Sequence, residues 1–574
     1  MRLPHRGSEA ASPSRWLYIV FKRGPFSSSA LLFIAFCLFL LYALFKVFVL
    51  LEPQSSDSMG SCGVDLGYVR YEGVCTDEMA RFLGIRYAAA PTGNLRWRAP
   101  RPPLPEPGIL KADTQPKMCA QGSRGMNPSP LDFSVGRQHA PRAPTVDWSE
   151  DCLFLNVYAP GGLYPGTRLP VLVWIHGGGY MNGNVAAYDG ADLLRQGEGA
   201  LVIVEIQYRL GVFGFLAGNE LQNDGTANAG LLDQDFALKW IRGHIAKFGG
   251  DPTDVTLWGE SAGAGSVMQQ LIANGGRTSP PLFKRAIASS TFLPPQYAFD
   301  DPIPEEIYAE LLRRTGCAAA GHRLHCLRGA DARLLAGTNL EMAAEAYYGT
   351  FLFVPVVDGE FIRERPSQAL ARRRLNANHL LALGVTFEGV NFVDPTRPEH
   401  DTATYLEYVF PKLSAAQVLE GVEAYHGVGD DLQRAVAIVG ESIFICPGYT
   451  LLRAFDAPYK GLFAIPPGRH GQDVPYYFPS RDPAPAQRFD NPAFQRAFAG
   501  AIFDFARSGA LDEKPTSGMT EGIRPKWPVW SSSSPAEMLF NRTRDEPVVR
   551  LIHTDADLFE RCRFWESVSE AVGQ

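Results

Sequence analysis

Gly259-Glu260-Ser261-Ala262-Gly263 is the stretch on which the reading of this chain turns, because it fits the pattern G-x-S-x-G with the right neighbours on each side. Residues 255–258, Val-Thr-Leu-Trp, form a short apolar run rich in strand formers, and residues 262–271 have few breakers after their opening glycines and predict a helix. The whole reads as strand, sharp turn, helix, with Ser261 at the turn as candidate nucleophile. Flanking glycines suit such a turn, since the backbone is strained there and neighbouring chain leaves no room for side chains. The helix that follows directs its first amides at the centre where negative charge would develop. Alone the pattern is weak, because small residues cluster in many turns, so its surroundings must decide.

At 574 residues and 46% hydrophobic, the chain can bury one large core or two ordinary ones. A net charge of -7, with no basic block expected outside the N-terminus, argues against a nucleic-acid binder. Paired C-x-x-C, H-E-x-x-H and G-x-x-x-x-G-K patterns are absent, as are internal repeats, and no metal or cofactor is implied. Residues 1–29 are polar and basic, with Arg2, Arg6, Arg15, Lys22 and Arg23 against Glu9; residues 30–51 are apolar except for Cys37, Tyr42 and Lys46. Twenty-two helical residues span roughly 30 Å of hydrocarbon, and Lys46 near one end can snorkel to the interface. A cleaved signal peptide fits less well: the run is long and no A-x-A-like site follows. The expectation is a cytosolic tail (1–29), a signal anchor (30–51), a stalk (52–61) and a domain (62–574) in the lumen or outside the cell, the product being secreted if the segment is cleaved. Eight cysteines remain beyond Cys37, an even number that suggests disulfides in an exported domain, and Asn541-Arg542-Thr543 is then a usable glycosylation sequon.

Four apolar runs each end in a polar or glycine-rich turn. Residues 171–175 lead to His176-Gly177-Gly178-Gly179, 255–258 to Ser261, 380–383 to Glu388, and 462–465 to His470, while a fifth run at 201–206 has no such turn. Helical periodicity lies between them, as at 231–248, where Leu238, Ile241, Ile245 and Phe248 recur before Gly249. Alternating strands and helices predict a mostly parallel sheet covered on both faces, whose site lies beyond the carboxyl ends of the strands. A serine hydroxyl needs a base, which His470 supplies, and an acid to orient that base, which Glu388 supplies; Ser261, Glu388, His470 is also the chain order of this fold. The amides of Gly178, Gly179 and Ala262 suit an oxyanion hole. Spacing alone leaves Asp358 and Glu360 as competing acids, whereas His426 reads as the end of a helix at 419–425 and loses to His470.

With these residues in place, the chain resembles the type B carboxylesterase/lipase family, the cholinesterase-like α/β-hydrolases, from about residue 67 to 565. The resemblance rests on Phe82-Leu83-Gly84-Ile85-Arg86-Tyr87-Ala88, Ser149-Glu150-Asp151-Cys152-Leu153, Tyr208-Arg209-Leu210-Gly211, Asp233-Gln234-Asp235-Phe236-Ala237-Leu238 and Phe248-Gly249-Gly250-Asp251-Pro252. It implies an α/β-hydrolase fold with large insertions, the triad Ser261, Glu388 and His470, and Glu260 and Asp473 as acids beside the site. Disulfides Cys119–Cys152, Cys317–Cys326 and Cys446–Cys562 are implied likewise, with Cys62 and Cys75 left as a possible fourth. Tyr180 is expected at the pocket wall or in packed core. Arg86 stands where the family has proline, which reads as a surface change. The implied activity is a serine carboxylesterase that acts on small to medium uncharged esters through an acyl-enzyme; a binding member of the fold and an acyltransferase are the alternatives.

Choline-specific members carry a tryptophan where this chain has Arg142, and a guanidinium repels a quaternary ammonium. Residues 120–151 are rich in Pro, Ser, Gly and Arg, with Met126, Leu131, Phe133 and Val135 bunched rather than striped along a helix, which speaks against a lipase-type lid. Choline esters are therefore expected to be poor substrates in a turnover assay; efficient hydrolysis that Ser261→Ala abolishes would contradict this reading.

Overall fold

The outward edges of the fold follow from its strands. In this computed structural model, residues 60–130, 147–162, 166–396, 401–481, 488–511 and 523–574 are described; the expected tail, the anchor at 30–51 and most of the stalk lie outside them, as do Arg142 and residues 131–146. The strands are β1 (Gly60–Asp65), β2 (Arg70–Cys75), β3 (Met79–Arg86), β4 (Ile109–Lys111), β5 (Phe154–Pro160), β6 (Leu169–Ile175), β7 (Val202–Ile206), β8 (Gly250–Glu260), β9 (Arg285–Ser289), β10 (His379–Val385), β11 (Tyr459–Phe463), β12 (Ala536–Arg542) and β13 (Pro547–His553). They form one sheet in the order β1-β2-β3-β5-β7-β6-β8-β9-β10-β11-β12-β13, with β4 beside β2. From β7 to β12 every neighbour is parallel, and antiparallel strands extend both sides. Gly60 and Ser61, expected in the stalk, already pair with Cys75 and Val74 in β1.

The central strands are continuous apolar runs because both faces are covered. On β6, Val171, Val173 and Ile175 enter the core beneath the helices Ala229–His244 and Ala262–Gly276, while Leu172 and Trp174 enter the core beneath Pro492–Ser508. That alternation is the two-residue period of a strand. The helix expected over 231–248 runs as Ala229–His244, tightens into a 3₁₀ turn at Ile245–Phe248, and stops at Gly249 with φ 80°. The one run among the described residues apolar and long enough to cross a membrane, Asp431–Arg453, is 78% buried in its apolar window, as a core helix is.

The motifs that carried the resemblance prove to be joints. Arg96 binds both carboxylate oxygens of Glu150, and Arg86 binds both of Asp151 at 2.6 and 2.8 Å while lying over the Phe154 ring. Arg86 is thus a half-buried anchor for the 149–152 segment rather than a bare surface change. All four disulfides form: Cys62–Cys75, Cys119–Cys152, Cys317–Cys326 and Cys446–Cys562. Deepest is the Arg209–Asp233 pair, 3% and 0% exposed, in which Arg209 donates from Nε and Nη2 at 2.7 Å each. Burial pushes the Asp233 carboxyl upward and the guanidinium opposes it. Asp233→Asn leaves a buried guanidinium without its counter-ion and is expected to cost about 3–5 kcal/mol, read from the urea unfolding midpoint; an unmoved midpoint would deny the pair its structural weight.

Candidate active site

Because β6, β8, β10 and β11 run parallel, the turns that follow them emerge at one edge of the sheet. Ser261 sits on the turn after β8 with φ 58° and ψ -125°, a conformation costly for a residue with a Cβ. Its neighbours show why they are glycines: a Cβ at Gly259 would lie 2.2 Å from Gly263 C, and one at Gly263 would lie 2.0 Å from Ile175 O. The turn is held by the Ser261 amide, which donates to Ser289 O at 2.9 Å.

Ser261 Oγ lies 2.9 Å from His470 Nε2, and His470 Nδ1 lies 2.6 Å from Glu388 Oε2. With the ring proton on Nδ1 toward the carboxylate, Nε2 is left to accept the serine proton. Glu388 is 1% exposed, and its other oxygen accepts from Val385 N. The acid and base turns are tied together, since Phe387 N donates to Gly468 O and Asn391 Nδ2 donates to His470 O. Of the competitors, Asp358 is engaged by Asn228 and the amides of Glu360, Phe361 and Ile362, while Glu360 and His426 are exposed.

Gly178 and Gly179 take φ 106° and 63°, and a Cβ on either would meet Asn182 O or the Phe351 ring at 2.1 Å. Among the described residues the amides of Gly178, Gly179 and Ala262 donate to no protein acceptor. Ala262 opens the helix Ala262–Gly276, whose dipole makes its N-terminal end, directly after Ser261, positive.

The sequence profile described as the carboxylesterase family matches residues 66–565. The chain belongs to that family. Membership places it among the carboxylic ester hydrolases, with the α/β-hydrolase fold. It is 30% identical over 511 residues to secreted triacylglycerol lipase LIP1 of Gibberella zeae, covering 80% of this chain and 83% of the relative. It is 39% identical over 303 residues to secreted lipase 1 of Botryotinia fuckeliana, where the match spans 50% of this chain and about half, 53%, of the relative. Among solved structures, Aspergillus niger EstA superposes with a TM-score of 0.76 at 26% identity, over 90% of this chain and 99% of that one.

In this carboxylesterase-family chain the imidazole stands among three carboxylates. Burial, the largest single influence, disfavours the charged ring, but the Glu388 hydrogen bond and the charges of Glu260, Glu388 and Asp473 outweigh it and raise His470 to about 8. Glu260 Oε1 is 3.4 Å from His470 Nε2. Burial pushes both the Glu260 and Asp473 carboxyls upward, Asp473 being partly compensated by the Tyr477 hydroxyl, which donates to it at 2.9 Å.

Beside the ring opens a cavity of about 460 Å³ with an apolar, aromatic lining. None of the three triad candidates lines it, yet its Phe392 and Phe444 pack on the His470 ring and its Phe351 lies against Gly179, so it abuts the site. Tyr180 is fully buried behind two of its walls, against Phe215 and Phe292, and is packed core rather than lining. Sequence reasoning missed Phe392, Phe444 and Asn391, which carry no local signal; only their contacts with His470 in the fold give them a role. An NMR titration is expected to place the His470 midpoint near 8, and Glu260→Gln, by removing a charge that favours imidazolium, is expected to lower it. A midpoint that rises or stays would reverse the assigned sign.

Proposed function

We propose that this chain hydrolyses small to medium uncharged carboxylic esters through Ser261, His470 and Glu388 by way of an acyl-enzyme. The observation that carries the reading is the unbroken hydrogen-bonded series from Ser261 Oγ through His470 to Glu388 beside three amides without acceptors. Ser261 Oγ attacks the ester carbonyl as Nε2 takes its proton, and Glu388 holds the ring and stabilises the imidazolium. The tetrahedral oxyanion lies against the amides of Gly178, Gly179 and Ala262, each donor contributing on the order of 2.7–4 kcal/mol in comparable hydrolases. As the intermediate collapses, His470 returns the proton to the departing alcohol. Water then repeats the sequence in reverse on the acyl-enzyme, with His470 first as base and then as acid, and frees the carboxylic acid and Ser261.

The aromatic cavity next to the triad suits an uncharged apolar portion of the substrate, and its size lies in the range of ordinary small-molecule pockets. No residue here is asked to hold a cofactor or metal. The domain assignment, with its start moved from residue 62 to Gly60 because β1 begins there, is a catalytic domain over 60–574 behind a stalk (52–59), an anchor (30–51) and a basic tail (1–29), in a type II orientation. Four disulfides support an oxidising compartment, partly exposed Asn541 supports glycosylation, and the two fungal relatives, both secreted lipases, fit an extracellular domain.

Hydrolysis of p-nitrophenyl esters of graded acyl length tests the reading, with Ser261→Ala expected to lose about 10⁴- to 10⁶-fold in kcat. Wild-type kcat/KM should rise with pH through about 8 as His470 deprotonates. Full activity in Ser261→Ala would overturn the mechanism, and ester products with an added alcohol in place of acid would mark an acyltransferase.

A further inference from the structure

At the far end of the helix Ala262–Gly276, roughly 16 Å along its axis from Ser261, the chain gathers arginines. Residues 361–375 read FIRERPSQALARRRL, with Arg363, Arg365, Arg372, Arg373 and Arg374 against one acid, Glu364, a basic block that corrects the expectation of none outside the N-terminus in a chain whose net charge is -7. The short helix Pro366–Ala371 folds this segment back on itself. Arg363, Arg372 and Arg374 then face Arg277 across a cleft of about 260 Å³, with Gly275 and Glu364 also in its wall.

The frame that brings them together is tightly built. Asn274, Gly275 and Gly276 end the helix at φ 57°, 69° and 67°, and a Cβ on Gly276 would lie 1.9 Å from Arg374 O. Asn376 donates to Gln270 O and Ala273 O and accepts from Thr278 N, and Asn274 N donates to Phe361 O. The backbone that carries Arg277, Arg363 and Arg374 is therefore one fixed unit, which lowers the ordering cost of a ligand that touches all three.

The charges in the cleft are left unbalanced. Glu364 pairs with Arg372 at 2.7 Å, Arg373 turns away to Asp456, and Arg365 lies 3.5 Å from Glu570. Among the described residues Arg277, Arg363 and Arg374 have no carboxylate partner. A plain solvated face would spread like charges apart, and Arg277 alone would serve the helix C-terminus. Here exposed guanidiniums converge on a concavity, where an anion relieves their repulsion and meets several forked donors. The cleft of about 260 Å³ is open to solvent and admits a phosphate group with its carrier extending outward. Three guanidiniums without a carboxylate partner, of which Arg363 donates only its Nε to Glu360 O at 3.2 Å, favour the nearly dianionic phosphate ester over a singly charged sulfate ester or carboxylate.

We propose that this arginine cleft is a binding site for a phosphate monoester group on a small molecule, separate from the ester-hydrolysing site. Titration calorimetry on the intact protein in about 0.15 M salt, where distant charges are screened, tests it with glucose 6-phosphate, inorganic phosphate and glucose 6-sulfate. Saturable binding of glucose 6-phosphate is expected, tighter than that of the sulfate ester. Equal binding of inorganic phosphate would support the same site with free phosphate as its ligand. Arg363→Ala and Arg374→Ala are each expected to weaken binding about tenfold, one charge-assisted contact apiece. Arg373→Ala removes the same charge outside the cleft and should leave binding unchanged, with unchanged thermal unfolding verifying that every variant is folded. No saturable heat from the wild type, sulfate ester bound as tightly as phosphate ester, or a loss in Arg373→Ala equal to that in Arg374→Ala would each overturn the proposal.

Discussion

The backbone of the turn after β8 crosses β6 so closely that a single methylene at Gly263 would lie 2.0 Å from Ile175 O. That contact sets the rest. It forces Ser261 into its positive-φ conformation, and it aims the helix Ala262–Gly276 back along the sheet with its first amide at the site. It also places the serine beside the Gly177–Gly179 turn of the neighbouring strand, where a Cβ on Gly177 would already press on Ser261 Cβ at 2.9 Å. The candidate nucleophile and the turn that carries the candidate oxyanion donors are brought together by one steric event. Strain at Ser261 persists because the seven parallel strands around it over-determine the turn.

Charge is the second constraint. A buried imidazole would ordinarily stay neutral, yet Glu388, Glu260 and Asp473 surround His470 and favour its charged form. The arrangement suits a ring that must carry a proton only briefly, because the imidazolium is held by groups already in place. The acids divide their tasks by geometry: Glu388 is in direct contact with Nδ1, Glu260 stands 3.4 Å from Nε2, and Asp473 is occupied by Tyr477. The aromatic rings of Phe392 and Phe444 close the ring's remaining faces and join it to the cavity.

Local sequence went far in this chain because its chemistry sits where strands end. Four apolar runs followed by marked turns were enough to nominate Ser261, Glu388, His470 and the oxyanion glycines, since each run is a strand buried on both faces and each turn must leave the same edge. Spacing could not separate Glu388 from Asp358, because either can follow an apolar run; the fold separates them by spending every oxygen of Asp358 on Asn228 and three amides. Tyr180 was equally undecided, and its packing against Phe215 and Phe292 puts it in the core.

What the sequence by itself determined is the strand-and-helix alternation, the elbow, the chain order of the candidates Ser261, Glu388 and His470, and the cysteines available for pairing. These are properties of short windows, where periodicity and glycine placement act through local sterics. Resemblance had already implied Glu388 and three of the cysteine pairs; only the tertiary structure showed that Cys62 meets Cys75, that Asp358 is turned away from the imidazole, that Arg86 anchors Asp151, and that Phe351, Phe392 and Phe444 come together from distant segments. Those outcomes depend on the order of strands in the sheet and on the insertions between them, and contacts set by long-range packing leave no mark at fixed spacing in the chain.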